Sequence, residues 1–260
     1  MPAGRARGRR RLGLLLAVAG GLAGALASTA AATHSWGGYH WARSASPFTL
    51  PLLDSVTSRW DPSLSRTSAD WSASSVLDTV IAEGGTDTRT RRRCPMVTGK
   101  VRICNDAYGY NGWLGLASVR VSGDHIVQAT TKLNDSYFDL PTYDSAVWRN
   151  HVTCQEVGHT LGLDHQDESG ASLRTCMDYS TDPTASQSPN AHDYEQLELI
   201  YAYLDGEEPS SGPGKGRRGG ATGLRRVRDD LWVEDLGGGA RVFHFVYWAA
   251  PGRHGPPDLG

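Results

Sequence analysis

Strand-like and helix-like spacings of apolar residues alternate along the chain. Phe48 to Val56 alternates loosely and predicts a first strand. Ser58 to Ser72 carries Trp60, Leu64 and Trp71 near helical spacing and predicts a helix. Ser75 to Ala82 has the β-branched content of a strand. Gly84 to Arg93 is polar and reads as a loop. Lys100 to Cys104 alternates again. Leu114 to Val121 and His125 to Leu133 are β-rich runs on either side of Ser122-Gly123-Asp124, a turn signal, so they predict a hairpin or two neighbouring strands.

The second half opens with a long predicted helix over Asp144 to Gly162, with Trp148, Val152, Val157 and Leu161 on its apolar side. Gly162 suits its end, because glycine accepts the left-handed conformation that terminates helices. Asp164 to Ser188 is polar and looped. Asn190 to Leu204 predicts a second helix, with Tyr194, Leu197, Ile200, Tyr201 and Leu204 at helical spacing. Residues 206–223 are rich in Gly, Ser, Pro and basic residues, as in a flexible linker. In the tail, 224–260, Leu231 to Glu234 and Ala240 to Ala249 predict two short strands, too few to build a core alone. The tail either packs back on the domain or binds a surface.

Residues 1–32 read as an export signal. Arg5, Arg7, Arg9, Arg10 and Arg11 precede an apolar run over Leu12 to Leu26, and Ala30-Ala31-Ala32 fits a cleavage site. A membrane anchor is the competing reading, but the run is short for a span of about 20 residues. Arg9-Arg10 leaves a twin-arginine route open. The expected location is therefore extracellular, with no stable membrane association after cleavage. A net charge of −2 over 260 residues offers no argument for nucleic acid. Of the 26 basic residues only Lys100, Lys132 and Lys215 are lysine, which hints at a GC-rich genome rather than at function. Cys94, Cys104, Cys154 and Cys176 make an even count, which in an exported chain suggests two disulfides among three pairings. Cys94–Cys104 and Cys154–Cys176 are the favoured pairs. A thiolate zinc site lacks the paired C-x-x-C spacing it needs.

The chemistry concentrates in Gln155-Glu156-x-x-His159-x-x-Gly162-x-x-His165. Residues 155 and 159 are four apart on a helix and share a face. Glu156 stands one step round, able to lean over an attacking water. A turn at Gly162 brings His165 back as a third ligand. Hydrolytic zinc takes three protein ligands and keeps a position open for water, whose pKa it lowers while polarising the substrate carbonyl. Glu156 would take the water's proton and pass it to the leaving amine.

This stretch resembles the metzincin signature, H-E-x-x-H-x-x-G-x-x-H followed by a Met-turn. Met177 is the Met-turn candidate, and the order of strands, long helix and C-terminal helix looks like the matrixin-like branch and is similar to its secreted bacterial relatives. The resemblance covers roughly Phe48 to Leu204. It implies an α+β, zincin-like domain over 33–205 with a mixed sheet, an active-site helix, a Met-turn and a C-terminal helix. It further implies a zinc-dependent endopeptidase, a protein or peptide substrate and a monomer. Metal ligands would be Gln155, His159 and His165, and Glu156 the general base.

The departure is Gln155, which stands where the signature has His. Three readings stay open: coordination through the amide oxygen, a substitute ligand, or a metal-poor remnant. Tyr179, two after Met177, matches the Met-x-Tyr spacing of astacins and serralysins. It is a candidate catalytic group, as fourth ligand or oxyanion stabiliser, or else a residue packed under the loop. His151 is two helical turns from His159, about 12 Å of rise, and reads as a surface or supporting histidine. His34, His40, His125, His192, His244 and His254 show no metal-ligand spacing and are expected not to bind. Asp164, Asp167, Glu168 and Asp178 would orient ligand histidines, hold structural Ca2+, or simply be solvated. The alternatives to a peptidase are an inactive zincin-fold binding module and a zinc hydrolase acting on a non-peptide substrate.

Overall fold

A computed structural model describes residues 33–169, 172–205, 222–249 and 254–259, with Met1 and Gly4. The chain separates into two compact units, 1–32 and 33–260. The export signal and residues 206–221 of the expected linker fall outside the described residues; its last two residues, Thr222 and Gly223, belong to a strand instead, paired in the sheet.

In chain order the second unit contains β1 (His40–Trp41), β2 (Phe48–Ser55), α1 (Asp61–Trp71), β3 (Leu77–Glu83), α2 (Thr88–Arg93), β4 (Val101–Asp106), β5 (Trp113–Ser122), β6 (His125–Asn134), α3 (Asp135–Phe138), α4 (Ala146–Thr160), a 3-10 turn at Pro183–Ala185, α5 (Ala191–Ile200), β7 (Thr222–Arg226), β8 (Leu231–Gly237) and β9 (Ala240–Trp248). Every predicted strand and helix is present, with shifted ends. α1 begins at Asp61 rather than Ser58, because Pro62 fits a first helical turn, where its missing N–H costs nothing. α5 starts on a capping box between Asn190 and Asp193 and stops at Ile200, short of the expected Leu204. The stretch 84–93, expected to be a loop, contains α2: Asp87 caps it by accepting the Thr90 N–H at 3.0 Å. With no buried residue in it, α2 left no apolar period to find.

The sheet runs β3-β2-β4-β6-β5-β9-β8-β7, with β1 pairing β6. From β3 to β6 neighbours are parallel. From β6 onward they are antiparallel. This is the mixed α+β architecture expected. The tail joins the same sheet: β9 pairs along all of β5, from Ser122↔Ala240 to Trp113↔Trp248. With β6 on its other side, β5 has no free edge.

α4 lies between this sheet and α1, and its interior residues join the core with Trp71, Leu114, Ala117 and Phe245. Ser145 caps it, its Oγ accepting the Trp148 N–H at 3.2 Å. The carbonyls at its far end need outside donors. Trp36 and Trp41 supply indole N–H groups to the carbonyls of His159 and Thr160 at 2.9 and 2.8 Å, and the Tyr201 hydroxyl donates to that of Leu161 at 2.9 Å. The aromatic stretch after residue 33 thus seats the far end of α4. Cys94–Cys104 and Cys154–Cys176 are the disulfides, as favoured from the sequence. Among the described residues no helix is long and apolar enough to cross a membrane.

Candidate metal centre

α4 carries Gln155, Glu156 and His159, and Gly162 at φ +102° makes the sharp reversal that returns His165. A side chain could not hold that left-handed turn without strain. The rings of His159 and His165 lie edge to face with centroids 4.8 Å apart, close enough to share one ion. His159 Nδ1 is 2.9 Å from the Leu163 carbonyl, and a carbonyl only accepts, so Nδ1 carries the proton and Nε2 the lone pair. His165 Nδ1 faces two carboxylates, Asp230 at 3.3 Å and Glu168 at 3.4 Å, which fix its tautomer the same way.

Gln155 is fully buried. Its amide nitrogen donates to the carbonyls of Cys176 and Asp178 at 2.9 and 2.8 Å, on either side of Met177. Both partners are acceptors, so the amide orientation follows from the hydrogen bonds. Its Oε1 has no hydrogen-bond partner. A buried carbonyl oxygen left bare is costly, and a cation beside it removes the cost. Two free imidazole nitrogens and an orphaned amide oxygen are a donor set that fits zinc. Met177 is buried beneath the helix, where Gly158 leaves room for it: a Cβ at 158 would run into Met177 and come within 2.8 Å of Trp71.

Glu156 is buried against β5, where the space a Cβ on Gly115 would need is taken by its carboxyl oxygen, 2.5 Å away. Burial holds its pKa well above the ordinary range. The Ala117 and Tyr247 amides oppose that rise, yet neither closes a hydrogen bond with a carboxyl oxygen. An unpartnered acid with a raised pKa is suited to moving a proton. Burial pushes His159 the other way, well below the usual histidine value, with His165 adding to the effect. Neutral imidazole is the form that binds metal.

The tail builds the other wall. Phe245 stacks on His159 and Tyr247 on Tyr179, with centroids 4.3 and 4.8 Å apart. Arg228, between β7 and β8, makes a fork to both oxygens of Asp164 and reaches Asp230 at 2.8 Å and Glu168 at 3.5 Å. Arg228 is thus the cation paired with Asp164, Glu168 and Asp230, and the structural calcium that was one reading of these acids is not supported. Asp178 takes the Leu173 N–H at 2.6 Å, and burial raises its carboxyl to about 6. The Tyr179 hydroxyl accepts the Trp248 N–H at 2.8 Å and lies 3.3 Å from that residue's carbonyl, so in this form β9 occupies it. His151 is buried, not on the surface. It bridges the Ser186 carbonyl and the Tyr247 hydroxyl, and burial lowers its pKa to about 4.

Gln155, Glu156 and His159 share α4, and the ring of His165 lies against that of His159. The sequence did not reveal that Arg228, Asp230, Phe245 and Tyr247 close over them. No ligand spacing links the tail to α4; only its apolar β-rich character marked it as a segment with something to pack on. As a result His165, at 8% exposure, is the most accessible of the four.

No protein-family model and no curated protein matches the sequence. Solved structures do. High choriolytic enzyme 1, a hatching-enzyme zinc-protease of the medaka fish Oryzias latipes, matches with TM-score 0.35 and 9% identity, over 64% of this chain and 96% of that one. Archaemetzincin from Archaeoglobus fulgidus, complexed with malonate, matches with TM-score 0.31 and 18% identity, over 57% and 98%. At these TM-scores neither superposition carries ligand positions onto this chain.

Proposed function

We propose that this chain is a secreted zinc-dependent endopeptidase, closed in the form described by its own C-terminal strands. The observation that carries the proposal is the orphaned Gln155 Oε1 on the same helix as His159, with Glu156 beside it unpartnered and buried. Such a set is expensive to bury without a use for it. Gln155, His159 and His165 would hold zinc, which supplies Lewis acidity toward the scissile carbonyl and toward water.

Glu156 accepts the proton of the attacking water and returns it to the leaving nitrogen. Its raised pKa favours holding that proton between the two transfers. The Nδ1 contacts of His159 and His165 keep both rings in the ligating tautomer. Met177 packs under Gly158 and fixes the floor. Substrate enters as an extended strand along β5 once β9 has left it, because β-pairing to an open sheet edge is how a chain of any sequence is held by its backbone. The same departure frees the Tyr179 hydroxyl to stabilise the oxyanion.

The test is zinc content together with cleavage of an unstructured protein, before and after β7–β9 is loosened by Arg228→Glu. Stoichiometric zinc and chelator-sensitive cleavage, abolished in Glu156→Ala, support the proposal. Metal-free protein that cuts nothing in either form sinks it. The sealed site favours one second reading, a catalytically silent binding module. That reading expects zinc to stay bound while the loosened protein still cleaves nothing.

A further inference from the structure

We propose that His40, His125 and Asp205 form a second site for a divalent metal of the zinc class, sharing no residue with the centre on α4. None of the three has metal-ligand spacing with another in sequence. The fold brings them together: β1 runs parallel to β6 with His40 directly across from His125. The two rings meet edge to face, centroids 4.9 Å apart. Asp205, beyond α5, is tied to the same place. Its N–H donates to the Arg43 carbonyl at 2.7 Å, and its Oδ2 takes the Arg43 N–H at 3.4 Å.

Both imidazoles aim Nε2 at that one carboxylate. His40 Nε2 is 3.4 Å from Oδ2, and His125 Nε2 is 3.6 Å from Oδ1. Their other nitrogens are already engaged with oxygens, His40 Nδ1 with the Gly38 carbonyl at 3.0 Å and His125 Nδ1 with the Asp124 carboxylate at 3.3 Å. With its proton on Nδ1, toward the nearer oxygen, each ring keeps a lone pair on Nε2. Two lone pairs then face an anion, and His125 Nε2 is buried with no hydrogen-bond partner. In that tautomer the arrangement is repulsive unless a cation sits between them.

Distance separates the two ways of supplying that positive charge. If both rings were imidazolium, charge-assisted bonds to the carboxylate would close to about 2.7–2.9 Å. A tetrahedral zinc ion with bonds of about 2.0–2.1 Å holds its ligand atoms about 3.4 Å apart. The two separations, each to a different oxygen of Asp205, lie closer to the second, and the candidate ligand atoms all lie within 4.8 Å of one another. Two imidazoles and one carboxylate select zinc-class ions over calcium or magnesium, which take oxygen. The Gly38 carbonyl and the Asp124 carboxylate supply the outer contacts that usually orient metal-bound histidines. The partial exposure of the three side chains, 18%, 28% and 23%, leaves a fourth position for water. Bound there, the ion clips β1 and the chain beyond α5 to the start of β6.

The experiment counts zinc in the full-length protein after exhaustive dialysis, with His159→Ala/His165→Ala removing the α4 centre. One zinc per chain is expected to remain in that variant. It is expected to disappear on adding His125→Asn, and Asp205→Asn should weaken it by more than the roughly tenfold to hundredfold typical of losing an outer contact. If the double variant does not fold, the difference in zinc between wild type and His125→Asn, each confirmed folded by circular dichroism, gives the same answer. A difference of one supports the site. Zero difference, or a double variant that folds and holds no zinc, overturns it. Failure of the α4 centre alone would leave this zinc in place, so the two proposals fall separately.

Discussion

Phe245 lies flat on His159, ring centroids 4.3 Å apart and planes 12° from parallel, so β9 covers a proposed metal ligand. The cover is anchored by Arg228 on Asp164 and by the Tyr179 hydroxyl on the Trp248 backbone. Burying a Phe side chain contributes about 1.5–3 kcal/mol, and 1.4 kcal/mol is about tenfold in an equilibrium. Phe245→Ala is therefore expected to raise the population in which β9 has left β5 by roughly ten- to a hundredfold. Initial rates on a fluorogenic unstructured protein, with zinc present, should rise in proportion. Rates that stay flat while amide exchange in β9 accelerates would mean that closure does not limit activity.

In the proposed centre Gln155 does two jobs with one amide, and substitutions divide them. Gln155→Ala strips the donors from the Cys176 and Asp178 carbonyls, costing roughly 1–3 kcal/mol for each buried acceptor left unpaired. Zinc affinity should fall as well. Gln155→His trades in the opposite direction: tighter zinc, but lower stability in chelator, because an imidazole cannot donate to both carbonyls. Urea melts with zinc and with chelator separate the two effects. A Gln155→Ala protein that binds zinc as tightly as wild type removes Gln155 from the ligand set.

Much of the candidate centre was legible because it is local. Gln155, Glu156, His159, Gly162 and His165 lie within eleven positions, and helical geometry alone places three of them, Gln155, Glu156 and His159. The C-terminal cover and the His40–His125–Asp205 cluster depend on strand pairings across 80 residues or more, and register between such distant strands is not written in either one. His40 and His125 each read as bland for that reason. α2 was missed on other grounds: it hangs on one cap and buries nothing.

Gly158 tests the floor of the proposed metal site. A methyl group there would meet Met177 and Trp71, both fully buried. Overpacking of this kind typically costs about 1–3 kcal/mol. Gly158→Ala should melt earlier and hold zinc less tightly, since Met177 can make room only by shifting the turn that Gln155 grips. Met177→Ala in the same chain should restore part of both losses. No rescue would show that Trp71, rather than Met177, sets the constraint.

His244 gives the fold an acid limit. It faces Ser118 across the β5–β9 pairing, with its Nδ1 2.9 Å from the hydroxyl. Burial, with Lys132 adding to it, lowers its pKa to about 4, against about 6.5 in an unfolded chain. The unfolded state therefore takes up a proton first as the pH falls. Stability is full above about 6.5 and declines towards about 4, below which both states are protonated and this contribution levels off. The loss is on the order of 3 kcal/mol, from about 1.4 kcal/mol per pKa unit. Because the group joins β9 to β5, the weakening should appear there first. Amide exchange in β8 and β9 should accelerate between pH 6.5 and 4 ahead of the other strands. A His244→Gln protein keeps a neutral side chain and should show a shallower fall in urea midpoint over that window; the same slope as wild type would place the acid sensitivity elsewhere.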